Sequence, residues 1–175
     1  MTSLQIFGVQ FTLSLVVFAL IAKWYVAPRL AALPLSDALV PLLFLHAFRH
    51  LGLVFLLPTV VGSTLPAAFA APTAYGDLLT ALLAILAILA LRRRWTGAIG
   101  LVWVVNVLGT LDFLYGFAQG MRFQVALGAA YFIPILANPA MYVSHFMIFT
   151  MLLRRSAGPR NPRAPRGAPV SFWTR

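Results

Sequence analysis

His46, Arg49 and His50 stand at i, i+3 and i+4 inside a long apolar stretch, a spacing that puts all three on one face of an α-helix. A second set, Tyr131, Asn138, Tyr142 and His145, recurs with helical periodicity in another apolar stretch. Imidazole is the side chain that changes charge near neutral pH, and guanidinium is permanently charged. A charge at the centre of a membrane helix costs about 2.5–3.5 kcal/mol on insertion scales, so such residues turn inward and find partners. The two stripes are therefore expected to meet.

At about 1.5 Å rise per residue, His46 and His145 each lie roughly 12 Å from the same end of their helices. Two level histidines on different helices are what axial ligation of a b-type haem requires, with Arg49 available to a propionate. The plainer expectation is that the histidines hydrogen-bond across the bundle. Asn106, Asp112, Asn138 and Tyr142 extend the polar set into a path for a ligand or a proton. Asp112 is expected near the outer end of its helix, either facing water or paired with Arg49 or Arg122.

Several chemistries are excluded by composition. The acidic residues are Asp37, Asp77 and Asp112, and the chain has no glutamate and no cysteine. Paired-Glu metal sites, most glycosidase chemistry and thiolate catalysis are thus out of reach. His46 and His50 have the spacing of a zincin pair, but Ala47 stands where the general base would be, and three histidines are too few for a di-iron site. Ser144 and His145 are adjacent and point in different directions, unlike a nucleophile and its base. No catalytic motif is present, and a binding or transport role is expected over an enzymatic one.

The elements that must position these residues are apolar runs of membrane length. Hydrophobic residues make up 62% of the 175 residues and charged residues 9%, against about 25% charged in a soluble domain. Five spans are predicted: residues 4–21, 39–61, 78–91 with a start near 73, a fourth ending near 116, and 125–153, kinked by Pro134 and Pro139. The small, Pro-containing segment 65–75 reads as a loop or an interfacial piece. Gly97 and Gly100 are spaced to let a neighbouring helix approach closely. The first run is expected to be retained as a helix, with no basic residue before it and no cleavage signal after it.

The net charge of +10 is carried by loops and tail rather than by a nucleic-acid-binding face. Lys23, Arg29, Arg92, Arg93 and Arg94 fall on one side, with Arg122 opposite, which places the N-terminus outside and the C-terminus in the cytoplasm. Residues 1–155 form the bundle, and 156–175 a basic Pro/Arg-rich tail expected to be disordered. Arg154, Arg155, Arg160, Arg163 and Arg166 are suited to anionic lipid headgroups, and a further copy or a larger membrane complex is a possible partner. The sequence thus describes an all-α, multi-pass protein of a bacterial inner membrane. Its polar site, formed by His46, Arg49, His50 and His145 between the second, fourth and fifth helices, would hold an apolar ligand or cofactor. A small proton-coupled permease and a structural subunit of a membrane complex are the alternatives.

Overall fold

The computed structural model describes residues 1–62 and 65–156, with side chains to Arg154, so the tail expected after residue 156 lies outside the described residues. Among these the chain is all-helical. Five helices are long and apolar enough to cross a membrane: α1 (Ser3–Ala31), α2 (Leu35–Leu56), α3 (Ala67–Arg92), α4 (Ala98–Phe123) and α5 (Gly128–Arg154).

The central helix is α3, packed against α2 and α4. Ala74, Asp77, Ala81, Ala84, Ile88 and Leu91 recur every three or four residues on α3 and are buried, and the alanines allow close approach of neighbouring helices. Toward the end of the bundle that carries Arg92–Arg94, Leu39 and Leu43 of α2, Ala84 and Ala87 of α3, Val102 and Val105 of α4, and Ile148 and Leu152 of α5 close into one apolar core. By contrast, α1 has no buried residue between Ser3 and Ile21 and leans on α5. Most of its exposed side chains are apolar, among them Leu4, Val9, Leu13, Val16, Val17 and Leu20, an exposure that water disfavours.

The boundaries depart from the sequence reading in ways that matter for the site. Helix α2 starts earlier than expected, as an α-helix over Leu35–Ala47, and continues as a 3-10 helix over Phe48–Leu56. Pro58 ends it by forcing Leu57 to extended backbone, at φ −105° and ψ 94°. At three residues per turn, i+3 keeps its face while i+4 swings about a third of a turn away. Arg49 consequently stays inside with His46, and His50 turns out to the surface, its Nδ1 2.9 Å from the Ala47 carbonyl.

Segment 65–75 is not a loop, because α3 already begins at Ala67 and runs through Pro72. Proline cannot donate to the carbonyl four residues back, which would leave Ala68 without its helical partner. The Tyr115 hydroxyl donates to that carbonyl at 2.7 Å. The predicted irregularity of the last span is present: 3-10 over Gly128–Tyr131, a π-turn over Ile133–Ala137 containing Pro134, then an α-helix from Asn138. Gly97 turns out to be a turn residue with φ +84°, and neither it nor Gly100 faces a close neighbour. Close approaches are made instead at Gly52, Gly76 and Gly109.

Candidate functional site

Arg49 is buried at the junction of α2, α3 and α4. Its Nε donates to Asp77 Oδ1 at 2.7 Å, one terminal nitrogen to the Gly109 carbonyl at 2.8 Å, and the other to Asp112 Oδ2. The guanidinium fork thus clamps one helix on each side and lies 3.8 Å from the centre of the Phe113 ring. Glycines make the room. The carboxylates of Asp77 and Asp112 occupy the space where side chains at Gly52 and Gly76 would stand. A Cβ at Gly109 would come within 2.8 Å of His145 Cε1 and 2.9 Å of both Arg49 Nη1 and Thr80 Cγ2.

Asp112 lies eleven residues before the end of α4 at Phe123, a depth of about 16 Å at helical rise. It is not a water-facing residue at a helix end, since its side chain is only 15% exposed and is paired to Arg49.

Behind Gly109 lies a second polar group. Ser144 Oγ and His46 Nε2 are 2.6 Å apart, and Asn106 makes two contacts with His145. The Asn106 amide nitrogen donates to the His145 carbonyl at 3.3 Å, so its oxygen accepts from His145 Nδ1 at 2.7 Å, which assigns the imidazole proton to Nδ1. Among the described residues, His46 Nδ1 and His145 Nε2 have no partner. The two rings are 4.0 Å apart between centroids and tilted by 37°. Two metal–nitrogen bonds of about 2 Å each, with a macrocycle between the rings, need more space than that. As arranged, His46 and His145 do not fit a bis-histidine haem. No group of three or more metal-ligating side chains is found among the described residues.

A cavity of about 850 Å³ opens beside the Arg49 cluster, toward the end of the bundle where α1, α3 and α5 begin. Phe55, Phe69, Phe113 and Phe117 give it an aromatic wall, and Thr73, Asp77, Asp112 and Asn138 give it polar edges. Thr73 and Asp77 are i, i+4 on α3, facing Asp112 and Gly116 at the same interval on α4. A Cβ at Gly116 would be 3.2 Å from Thr73 Cγ2, so the helices nearly touch there. Thr73 is buried, yet its hydroxyl has no hydrogen-bond partner among the described residues. Thr80, about two helical turns on, bonds the Gly76 carbonyl at 2.9 Å in the ordinary way.

Of the residues singled out from sequence, His46, Arg49, His145, Asn106 and Asp112 come together in the bundle, and Tyr142 joins them with its ring tilted 37° against Phe113 at 5.0 Å. Asn138 is set apart on the cavity wall, Tyr131 donates to Gln10 on α1 at 2.6 Å, and His50 is outside. Asp77, Thr73 and Gly109 have no role in the sequence reading, and Ser144 enters it only as a rejected nucleophile. A helix started at Ala67 would have put Asp77 in mid-span and marked it as costly.

An all-helical bundle with five helices of membrane-crossing length and an Arg–Asp cluster at its centre is the class of protein these features define. Residues 6–153 match the family model described as Domain of unknown function (DUF8737), and the chain belongs to that family. Comparison with the curated proteins and with the solved structures gives no match.

Proposed function

We propose that this is a multi-pass membrane protein that binds an amphipathic organic ligand in the cavity beside Arg49, Asp77 and Asp112. The observation that carries the reading is the cavity itself. It has the size of a small-molecule site and an aromatic lining, with a few convergent polar groups at one edge. The ligand-facing residues are then Thr73, Asp77, Asp112 and Asn138, while His46 and His145 support the wall behind Gly109. The basic loops suit an orientation with the N-terminus outside and the C-terminus in the cytoplasm of a bacterium's inner membrane, with Arg154, Arg155, Arg160, Arg163 and Arg166 toward anionic headgroups. In that orientation the cavity opens toward the outer leaflet.

Gly120 lines the cavity, and a Cβ there meets Phe69 and Val125 at 3.5 and 3.6 Å, ordinary contact distances. Gly120→Leu should therefore fill the cavity without breaking the helix. A panel of amphipathic compounds, screened by thermal stability of protein in nanodiscs, should contain members that raise the Tm of the natural protein and leave Gly120→Leu unmoved. Equal responses of the two proteins throughout the panel would defeat the reading. A proton-coupled permease is the second reading, favoured by the π-turn at Pro134 on the cavity wall. It predicts ligand flux in proteoliposomes as well as binding.

A further inference from the structure

The charges at the cavity edge do not balance. Arg49 supplies one positive charge and Asp77 and Asp112 two negative ones, all within one hydrogen-bonded cluster. The other titratable groups packed around it are Tyr142, facing Phe113 from α5, and His145 and His46 behind Gly109. Neither histidine offsets the excess. Each already uses one ring nitrogen toward Ser144 or Asn106 and has no acceptor at the other, so a second proton on either ring would bury an unpaired N–H. An uncompensated charge in a low-dielectric interior draws in a counter-charge. The cavity is where one can enter.

Three features say what kind. Each carboxylate has one oxygen engaged by Arg49, which leaves Asp77 Oδ2 and Asp112 Oδ1 as acceptors. The Thr73 hydroxyl on the same wall has no partner among the described residues and lies covered beside Gly116, 3.5 Å from where a Cβ there would stand. An alkylammonium group has three N–H donors. The Phe55, Phe69, Phe113 and Phe117 rings favour a cation near their faces and an apolar body between them. A bare inorganic cation would use the carboxylates but not the aromatic wall.

Resting on the reading above, we propose that the cavity takes a monovalent organic cation, an amine carried on an apolar body, in exchange for one proton. Without the amine, one carboxyl group of the cluster holds a proton and the cluster is neutral. When the ammonium enters, that O–H bond breaks, the proton leaves to water, and the ammonium replaces its charge. The site is neutral in both states, so exchange never strands a net charge in the membrane interior.

Calorimetry on the nanodisc-embedded protein tests this with 2-phenylethylamine and its uncharged counterpart 2-phenylethanol, each in two buffers of different ionisation enthalpy. The amine should bind at least about tenfold tighter than the alcohol. It should release close to one proton, with an affinity that rises about tenfold per pH unit while the cluster holds its proton. Asp112→Asn should reduce amine affinity by at least about tenfold and abolish proton release. If that variant does not fold, the proton count of the natural protein still decides. Equal binding of amine and alcohol, or amine binding with no proton released, overturns the cation exchange and leaves the cavity reading standing. If neither compound binds, the cavity reading falls and the exchange with it.

Discussion

The two ends of the bundle are built on different principles. Toward the Arg92–Arg94 turn, branched aliphatic side chains interlock with alanines, and Leu39, Leu43, Ala84, Val102, Val105 and Ile148 are sealed from the surroundings. Toward the other end, α2 tightens to a 3-10 helix, α3 carries Pro72, α5 begins irregularly, and side chains stand back around a cavity. The Arg49 cluster sits at the border. One end supplies a rigid frame by close packing, and the other keeps an opening between the Arg49 cluster and a smaller apolar cluster of Phe55, Val61, Leu65, Phe69 and Ala130. The cavity is lined both by these irregular segments and by the regular α4, through Phe113, Gly116, Phe117 and Gly120.

The contrast can be broken most severely at the border. Arg49→Leu leaves two buried carboxylates without their counter-charge and should destabilise the protein by about 3–5 kcal/mol, read by unfolding in mixed detergent micelles. Converting Asp77 and Asp112 to Asn in the same chain should recover much of that loss. Next in size, Leu43→Ala in the packed end should cost about 2–3 kcal/mol, because the hole cannot collapse against its neighbours. Phe117→Ala, on the cavity wall and 43% exposed, should cost about 1 kcal/mol or less despite removing more atoms. Equal losses at the two positions would erase the distinction between the ends. Gly109→Ala tests the join itself. Its new methyl would press on His145 and Arg49, for a loss of about 1–3 kcal/mol and a shifted His145 imidazole NMR signal. At the small end of the scale, His50→Ala should change stability by no more than about 0.5 kcal/mol, since that side chain lies outside the site.

Much of the bundle could be read from residue order because the number of apolar helices is a matter of local composition. Runs of about 20 apolar residues, ended by Lys, Arg, Trp, Gly or Pro, mark helices wherever they pack. The inward bias of His46, Arg49, Asn106 and His145 follows from the same local rule, that polar groups amid apolar residues seek partners. What went astray were places where one helix answers another. Segment 65–75 reads as a loop or interfacial piece because nothing local shows that the carbonyl orphaned by Pro72, at Ala68, is satisfied from forty-seven residues away by Tyr115. Asp77 has no role in the sequence reading because a helix taken from 78, or from near 73, does not put it in mid-span.

The sequence by itself determined an all-helical chain with five segments of membrane-crossing length, a polar set inside them, and basic residues gathered mainly between them and in the tail. Which polar groups pair was decided only by the tertiary structure. Pairing depends on the rotation of each helix about its axis and on the pitch of each turn, and a change from 3.6 to 3 residues per turn moves a side chain to another face. That change retained Arg49 and expelled His50. The same rotations brought His46 and His145 to 4.0 Å, too close for a haem between them, and set Asp77 and Asp112 on either side of one guanidinium. Distances of that kind are fixed by packing between residues 28 to 99 positions apart in the chain, a separation at which local preference carries no information.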